Sequence, residues 1–305
     1  MNLSTLVRLI VLPFLLTVNA TIAYLAVANQ WSFELTASLI FVLTAIYIFI
    51  FEQLIPFKIH WNTSRHKIGT DLKHLLLSTI VFDALGKTMA LSFVLWVKQL
   101  FFQTVEFWES LPMIIVFVVA VLLGELLPYI YHRISHVGKK GSYWSMFLWK
   151  IHSIHHLPSS LNWFKTNWMH PINMFLNSFL KLMPLLLLGF SPEIIFLVGV
   201  LHVVIAYISH ANIDANTFFL DYLVVTPKIH RFHHSQVLAE AKNFGNIVPF
   251  WDLLFRTYYN RQGEVDQVGL LESHIDYPKN EAYLNQMIFP FTNIFKDCCQ
   301  TRTKD

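Results

Sequence analysis

Apolar residues run along this chain in blocks, and the polar residues between the blocks mark out its elements. No charge falls between Arg8 and Glu34, so residues 9–33 form a stretch long enough to cross a bilayer as a helix. A basic residue before an apolar run also begins a secretory leader, but the ~7–15 residues of a leader's core are exceeded here, which favours a membrane anchor. A second block, 35–51, lies between Glu34 and Glu52. A third covers about 74–97 with Asp83 and Lys87 inside it, and a fourth about 111–130 with Glu125 near its end. Two further blocks, about 172–190 and 193–210, are separated by "GFSPE". Gly189 suits a helix C-terminus, Ser191 an N-cap, Pro192 a first helical position and Glu193 the positive end of a helix dipole. These two blocks are expected to form a helical hairpin dipping into the membrane, its first arm interrupted by Lys181.

Composition agrees with a membrane protein. Hydrophobic residues make up 55% of the 305 and charged residues 13%, against about 25% charged in soluble domains. Mean hydropathy is +0.49. The net charge of +3 is scattered along the chain and leaves no footprint for nucleic acid. Cys298 and Cys299 are adjacent and build no disulfide framework; free thiols, or palmitoylation beside a membrane, are the readings open to them. Basic residues concentrate in loops 52–73 and 131–171, whereas loops 30–34 and 98–110 are mostly acidic. The positive-inside rule then places both termini and the histidine-bearing loops in the cytoplasm, of a bacterial inner membrane or an endoplasmic reticulum.

The candidate chemistry lies in the histidines. "KIHSIHH" at 150–156 and "KIHRFHH" at 228–234 agree at five of seven positions. His152, His155 and His156 are spaced i, i+3, i+4, and so are His230, His233 and His234; His132 and His136 in "YHRISHV" are four apart. Such spacings bring imidazoles to one helix face, with Cβ atoms ~5–6 Å apart. One metal ion rarely takes more than about six protein ligands, so these eight rings point to two metals close together. Imidazole suits Fe, Zn, Cu and Ni alike. Pro227 and the lysine before each triplet, Lys150 and Lys228, are expected to mark helix starts at the membrane surface. Interfacial or pH-titrating histidines, a bis-histidine haem site and a metal carrier account less well for two triplets at membrane-proximal helix ends. The fold expected is an all-α integral membrane protein: about four transmembrane helices, a membrane-embedded hairpin and a cytosolic helical cap holding a histidine-rich dinuclear metal site. Its divisions are N-terminal membrane helices over 1–110, a catalytic unit over 111–260 and a cytosolic C-terminal tail over 261–305.

The stretch from about 115 to 260 resembles the fatty acid hydroxylase superfamily of membrane di-iron enzymes, which includes sterol desaturases, C4-sterol methyl oxidases and alkylglycerol monooxygenases. The likeness rests on "HRISH", "HSIHH", "HP" at 170–171, "SHAN" at 209–212, "TPKIHRFHHS" at 226–235 and "NFG…WDLLFRTY" at 243–258. It implies O2-dependent hydroxylation, or desaturation, at a C–H bond of a fatty acyl, sterol or ether lipid. It implies two iron ions, with zinc as a substitute in purified samples. It also implies a separate electron donor, a reductase, ferredoxin or cytochrome, or a reduced pterin for ether-lipid chemistry. His132, His136, His152, His155, His156, His230, His233 and His234 are then ligands, joined by His210 and, with less support, His170. Glu125, seven residues before His132 where relatives usually carry Asp, is a candidate to support a ligand histidine or bond a deeper polar group. Trp168 stands where relatives often have Arg, and Arg256 where they often have Gly. His202, eight residues and about 12 Å from His210 along a helix, is read as a buried structural or channel residue. His60, His66 and His74 are read as surface or loop groups, and His274 has no motif around it. Asp83 and Lys87 form an i, i+4 ion pair in the favourable order. Lys181 is left to snorkel or to pair with an unnamed acid. The competing class is a non-enzymatic histidine-rich membrane protein that binds or transports metal.

Overall fold

The computed structural model of the protein describes residues 2–62, 68–101, 106–271 and 275–292. His66, His274, Cys298 and Cys299 lie outside them. Every regular element among the described residues is helical, apart from two isolated antiparallel bridges, Pro56 with Ile213 and Ser235 with Val268. Helix α1 spans Leu3–Ala28 and α2 Phe33–Leu54. Helix α3 is one rod built from Ile68–Lys73, a π-helical stretch His74–Val81 and Phe82–Phe101. Helix α4 spans Met113–Ser135, α5 Tyr143–His156, α6 Pro171–Leu187, α7 Pro192–His210, α8 Pro227–His233, α9 Phe250–Leu254 and α10 Tyr283–Ile288.

Four of these, α1 to α4, are the four blocks expected from the sequence, each long and apolar enough to cross a membrane. Helix α7, the second arm of the hairpin, meets the same criterion, while α6 is shorter at 17 residues. The hairpin turn follows its residue types. Gly189 adopts φ +75, Gly189 N donates to Leu186 O at 3.3 Å and Phe190 N to Leu185 O at 3.1 Å, which closes α6 by a Schellman motif. Ser191 then caps α7, its hydroxyl accepting from Ile194 N at 3.4 Å.

Helix α7 is the hub. It packs on α1, α2 and α4, and their buried Val, Ile, Leu and Ala side chains merge into the largest core. On the other side α6 lies between α3 and α4. Gly86 of α3 lets the backbones close up: a Cβ there would stand 2.6 Å from Phe175 O and 3.0 Å from Ser178 Cβ. Small residues serve this purpose between membrane helices, where burial of apolar surface gives little driving force. Beside this contact Lys87 Nζ meets Asp83 at 2.5 Å, the ion pair expected from their spacing, and Ser178 Oγ donates to the same carboxylate at 2.5 Å.

The remaining elements form a cap over the ends of α2, α4 and α7. Glu52, in the last turn of α2, joins the two layers: its Oε1 accepts the N–H groups of Trp163 at 2.7 Å and Asn212 at 2.8 Å. Two sequence expectations change here. His74 is not a surface group but fully buried in α3, because the helix starts at Ile68 and turns that position toward the cap. Lys150 does not start a helix: α5 begins at Tyr143, and Lys150 is buried with Nζ donating to Thr292 O at 2.5 Å. Lys228 does sit at the start of α8, behind Pro227. The described part of 261–292 is packed onto the cap through Val265, Val268, Ile275 and Phe289 rather than trailing from it.

Gly86→Val is expected to lower stability by about 1–3 kcal/mol through overpacking of α3 on α6. Gly69→Ala, with nothing within 4 Å of the added Cβ, should be neutral or slightly stabilising. Thermal unfolding of the two variants in one detergent checks this, and equal midpoints would refute the close contact.

Candidate metal centre

Four helices deliver nine imidazoles to one place. His132 and His136 end α4, His152, His155 and His156 end α5, His210 ends α7, and His230, His233 and His234 come from α8 and its cap. They sort into two groups whose ring nitrogens lie within 4.8 Å of one another: His132, His136, His152, His156 and His233, and separately His155, His210, His230 and His234. Eight of the nine are buried, and His136 is partly buried.

Each triplet divides between the groups. Residues four apart on a helix diverge by about 40°, whereas the i+3 member lies about 100° from its i+4 neighbour. The pair His152 and His156 therefore goes to the first group and His155 to the second. In α8 the pair His230 and His234 goes to the second group and His233 to the first. The two copies of HxxHH are thus exchanged partners rather than two complete sites.

Hydrogen bonds decide which nitrogen faces inward. His132 Nδ1 lies 2.7 Å from Phe244 O, and His233 Nδ1 lies 2.8 Å from Lys242 O. A carbonyl oxygen only accepts, so both Nδ1 atoms carry the proton and both Nε2 atoms carry a lone pair. Those two Nε2 atoms stand 3.0 Å apart. The second group repeats the arrangement. His155 Nδ1 donates to Trp168 O at 3.0 Å and His210 Nδ1 to Ala206 O at 3.0 Å, which leaves their Nε2 atoms 3.1 Å apart, lone pair to lone pair. Two acceptors in contact repel unless a cation lies between them. Two nitrogens bound to one ion at roughly 2.1 Å and at right angles are themselves roughly 3.0 Å apart, so the donor set fits a metal. Burial, reinforced by the neighbouring imidazoles, holds His136, His152, His156, His230, His233 and His234 well below the ordinary imidazole range. Burial alone pushes His155 down to about 4. Neutral rings are the form a metal requires.

The carbonyls that orient the first group belong to one strap, residues 242–247. Asn243 holds it at φ 60 by donating to Ile229 O at 2.9 Å and Tyr259 O at 2.8 Å. Asp252 accepts from Phe244 N at 2.8 Å, Gly245 N at 2.7 Å and Thr257 Oγ1 at 2.6 Å. A Cβ at residue 245 would lie 2.5 Å from Val248 O, so only glycine fits. Glu125 completes the anchorage from α4, accepting from Asn246 N and, at 2.9 Å, from Ile247 N. Glu125 therefore does not touch a histidine; it acts on His132 through the backbone of the strap. Arg256, where relatives often have glycine, has φ 59 and is exposed, so it carries the backbone strain without entering the site.

His170 stays outside both groups. As N-cap of α6 its Nδ1 accepts from Ile172 N at 3.2 Å, and Nε2 donates to Met287 O at 3.0 Å, so both nitrogens are engaged. Trp168, in place of the relatives' arginine, offers its carbonyl to His155, and its ring stacks on His74 at 4.7 Å. His74 in turn meets Met169 O at 3.1 Å and Gln286 Oε1 at 2.7 Å. It supports the second group without joining it. His60 is exposed, as expected. His202 and Lys181 are half-buried and share a small cavity with Glu125 and Asn177, away from both groups. Sequence reading missed the carbonyls of Ala206, Trp168, Lys242 and Phe244, since backbone acceptors have no residue signature. The motif around Asn243, Gly245 and Asp252 was the available signal for the strap.

Residues 117–257 match the family model described as fatty acid hydroxylase. The chain is 28% identical over 253 residues to the ornithine lipid hydroxylase OlsE of Rhizobium tropici, an alignment that covers 81% of this chain and 74% of that protein. No solved structure matches.

Removing the strap's anchor should loosen the site. Asp252→Ala is expected to lower metal affinity by roughly 10–100-fold, read by chelator competition, with no change for the exposed His60→Ala. Lowered folded-state pKa values mean that the metal-stripped fold keeps its full stability above the unfolded imidazole value of about 6.5 and loses it as pH falls toward 4. Thermal unfolding at pH 7.5 and pH 5 checks this, and equal midpoints would show that these rings are not held neutral.

Proposed function

Because the chain belongs to the fatty acid hydroxylase superfamily and is a hydroxylase, we propose that it hydroxylates a C–H bond of a membrane lipid at two iron ions, using O2 and electrons from a separate donor. The observation that carries this reading is the pair of imidazole groups in which carbonyl bonds leave the Nε2 lone pairs of His132 and His233, and of His155 and His210, facing each other. We assign His132, His136, His152, His156 and His233 to one iron and His155, His210, His230 and His234 to the other. Zinc fills the same imidazole sites where iron is scarce.

The balanced reaction is R–H + O2 + 2 electrons + 2 protons giving R–OH + H2O. Bound iron supplies the activation of O2 and the insertion of one oxygen atom; the protein supplies ligands, alignment and exclusion of water. The residues do this through rigidity. The strap locks the tautomers of His132 and His233, the Trp168 and Ala206 carbonyls lock those of His155 and His210, and the burial of the groups keeps water from competing with the lipid. Because the groups sit where α4 and α7 leave the apolar region, a lipid reaches them from the bilayer without crossing water. The three divisions 1–110, 111–260 and 261–305, and a cytoplasmic placement of termini and metals by the positive-inside rule, complete the proposal.

The 305 residues contain no dinucleotide fingerprint and no cysteine set for an iron–sulfur cluster. Electrons then come from a reductase, ferredoxin or cytochrome, or from a reduced pterin if the substrate is an ether lipid. The relative named for ornithine lipid makes a polar lipid with an amino-acid headgroup the first substrate to try.

Iron-loaded protein given 18O2, a reductant and a lipid extract is expected to yield a hydroxylated lipid carrying one labelled oxygen. His233→Ala should abolish the product and lower bound iron. A product labelled from water, or no O2 consumption by fully loaded protein, would contradict the proposal.

A further inference from the structure

Helix α8 has a second face. Lys228 and Phe232 lie on the side opposite His230, His233 and His234, with Arg231 on the flank between, and the three line a cleft of ≈ 190 Å³ with Phe57, Asp214 and Glu264. The cleft opens between the segment after α2 and the segment after α7, where two apolar helices leave the membrane-spanning region.

Arg231 at its floor is only 6% exposed. Its guanidinium stacks on the Phe57 ring at 3.7 Å. Nη1 reaches Ala211 O at 3.5 Å and Ile213 O at 3.4 Å, both at the outer limit of a hydrogen bond. Nε and Nη2 have no partner among the described residues, and no described carboxylate pairs with Arg231. The guanidinium therefore keeps a free edge of donors: Glu264, Asp214 and Asp221 act on its charge across space without bonding to it. Two of the nearby acids are committed elsewhere. Asp214 pairs with Arg8 at 2.9 Å. Asp221 accepts from Thr226 at 2.5 Å and Asn260 at 3.0 Å and lies 3.9 Å from Lys228. Glu264, exposed at the rim, is the carboxylate that acts most strongly on Arg231, and it makes no bond to it.

We propose that this cleft binds the oxyanion of a lipid headgroup, a phosphate or a carboxylate, held by the free edge of Arg231 and by Lys228. A planar guanidinium fork matches either oxyanion with two parallel bonds. The inference rests on the lipid hydroxylase reading, since a headgroup held here lies about one helix diameter, roughly 10 Å, from the histidine groups. Asp214 and Glu264 at the same cleft favour a headgroup that also carries an ammonium.

The test uses the full-length, metal-loaded protein in a neutral detergent, with dihexanoyl phosphatidylethanolamine and inorganic phosphate titrated separately by calorimetry. The lipid is expected to bind saturably, with affinity at least tenfold weaker in Arg231→Gln and several-fold weaker in Lys228→Gln, at unchanged metal content. Phosphate should displace the lipid only at much higher concentration. Lys228→Gln leaves the helix core intact, so it decides the matter if Arg231→Gln fails to fold. Equal lipid affinity in wild type and Lys228→Gln, or phosphate bound in preference to the lipid, would overturn the proposal. Binding is scored without turnover, so its failure leaves hydroxylation standing, and a failure of oxygen incorporation leaves the cleft result standing.

Discussion

The structure turns on a single constraint: imidazoles whose outer nitrogens are tied to carbonyl oxygens must point lone pairs at one another. His132 and His233 are so tied by Phe244 O and Lys242 O, and His155 and His210 by Trp168 O and Ala206 O. In a buried setting that arrangement is unfavourable without a cation, because each inward nitrogen has lost water and gained a repulsive neighbour. The rings cannot escape by changing tautomer, since a carbonyl gives them no alternative. Binding energy for a metal is thereby built into the fold rather than found by the side chains after folding.

The membrane helices make that constraint affordable. Helices α4 and α7 end at the site and cannot tilt freely, because α7 is packed on three neighbours and closed at its start by the turn through Gly189 and Ser191. Glu52 ties α2 to the two loops that flank the groups. The strap at 242–247 then reaches back to α4 through Glu125, so one acidic residue inside a span sets the position of a backbone carbonyl two turns away. The acid keeps its hydrogen bonds, and the histidine keeps its direction.

Much of this was legible in the sequence. The apolar blocks gave the spans because a bilayer demands uninterrupted length, helical spacing marked out eight of the histidines that converge, and the family resemblance added His210. The division of each triplet was not legible, since it depends on how α5 and α8 face each other. His74 was misread because α3 already runs from Ile68, ahead of the third apolar block, so a residue at the edge of that block is buried rather than in a loop. His170 carries the family's HP signature, yet its two nitrogens serve a helix cap and Met287 O. A pattern of residue types reports which side chains can bind metal, and only the hydrogen bonds report which are free to do so.

The central claim is that nine histidines form two separate cation positions, five imidazoles around one and four around the other. Anomalous diffraction at the iron edge from crystals of iron-loaded protein tests it most directly. Two peaks, one within His132, His136, His152, His156 and His233 and one within His155, His210, His230 and His234, are the predicted result. A single peak shared by both groups, or a peak at His170, would contradict it.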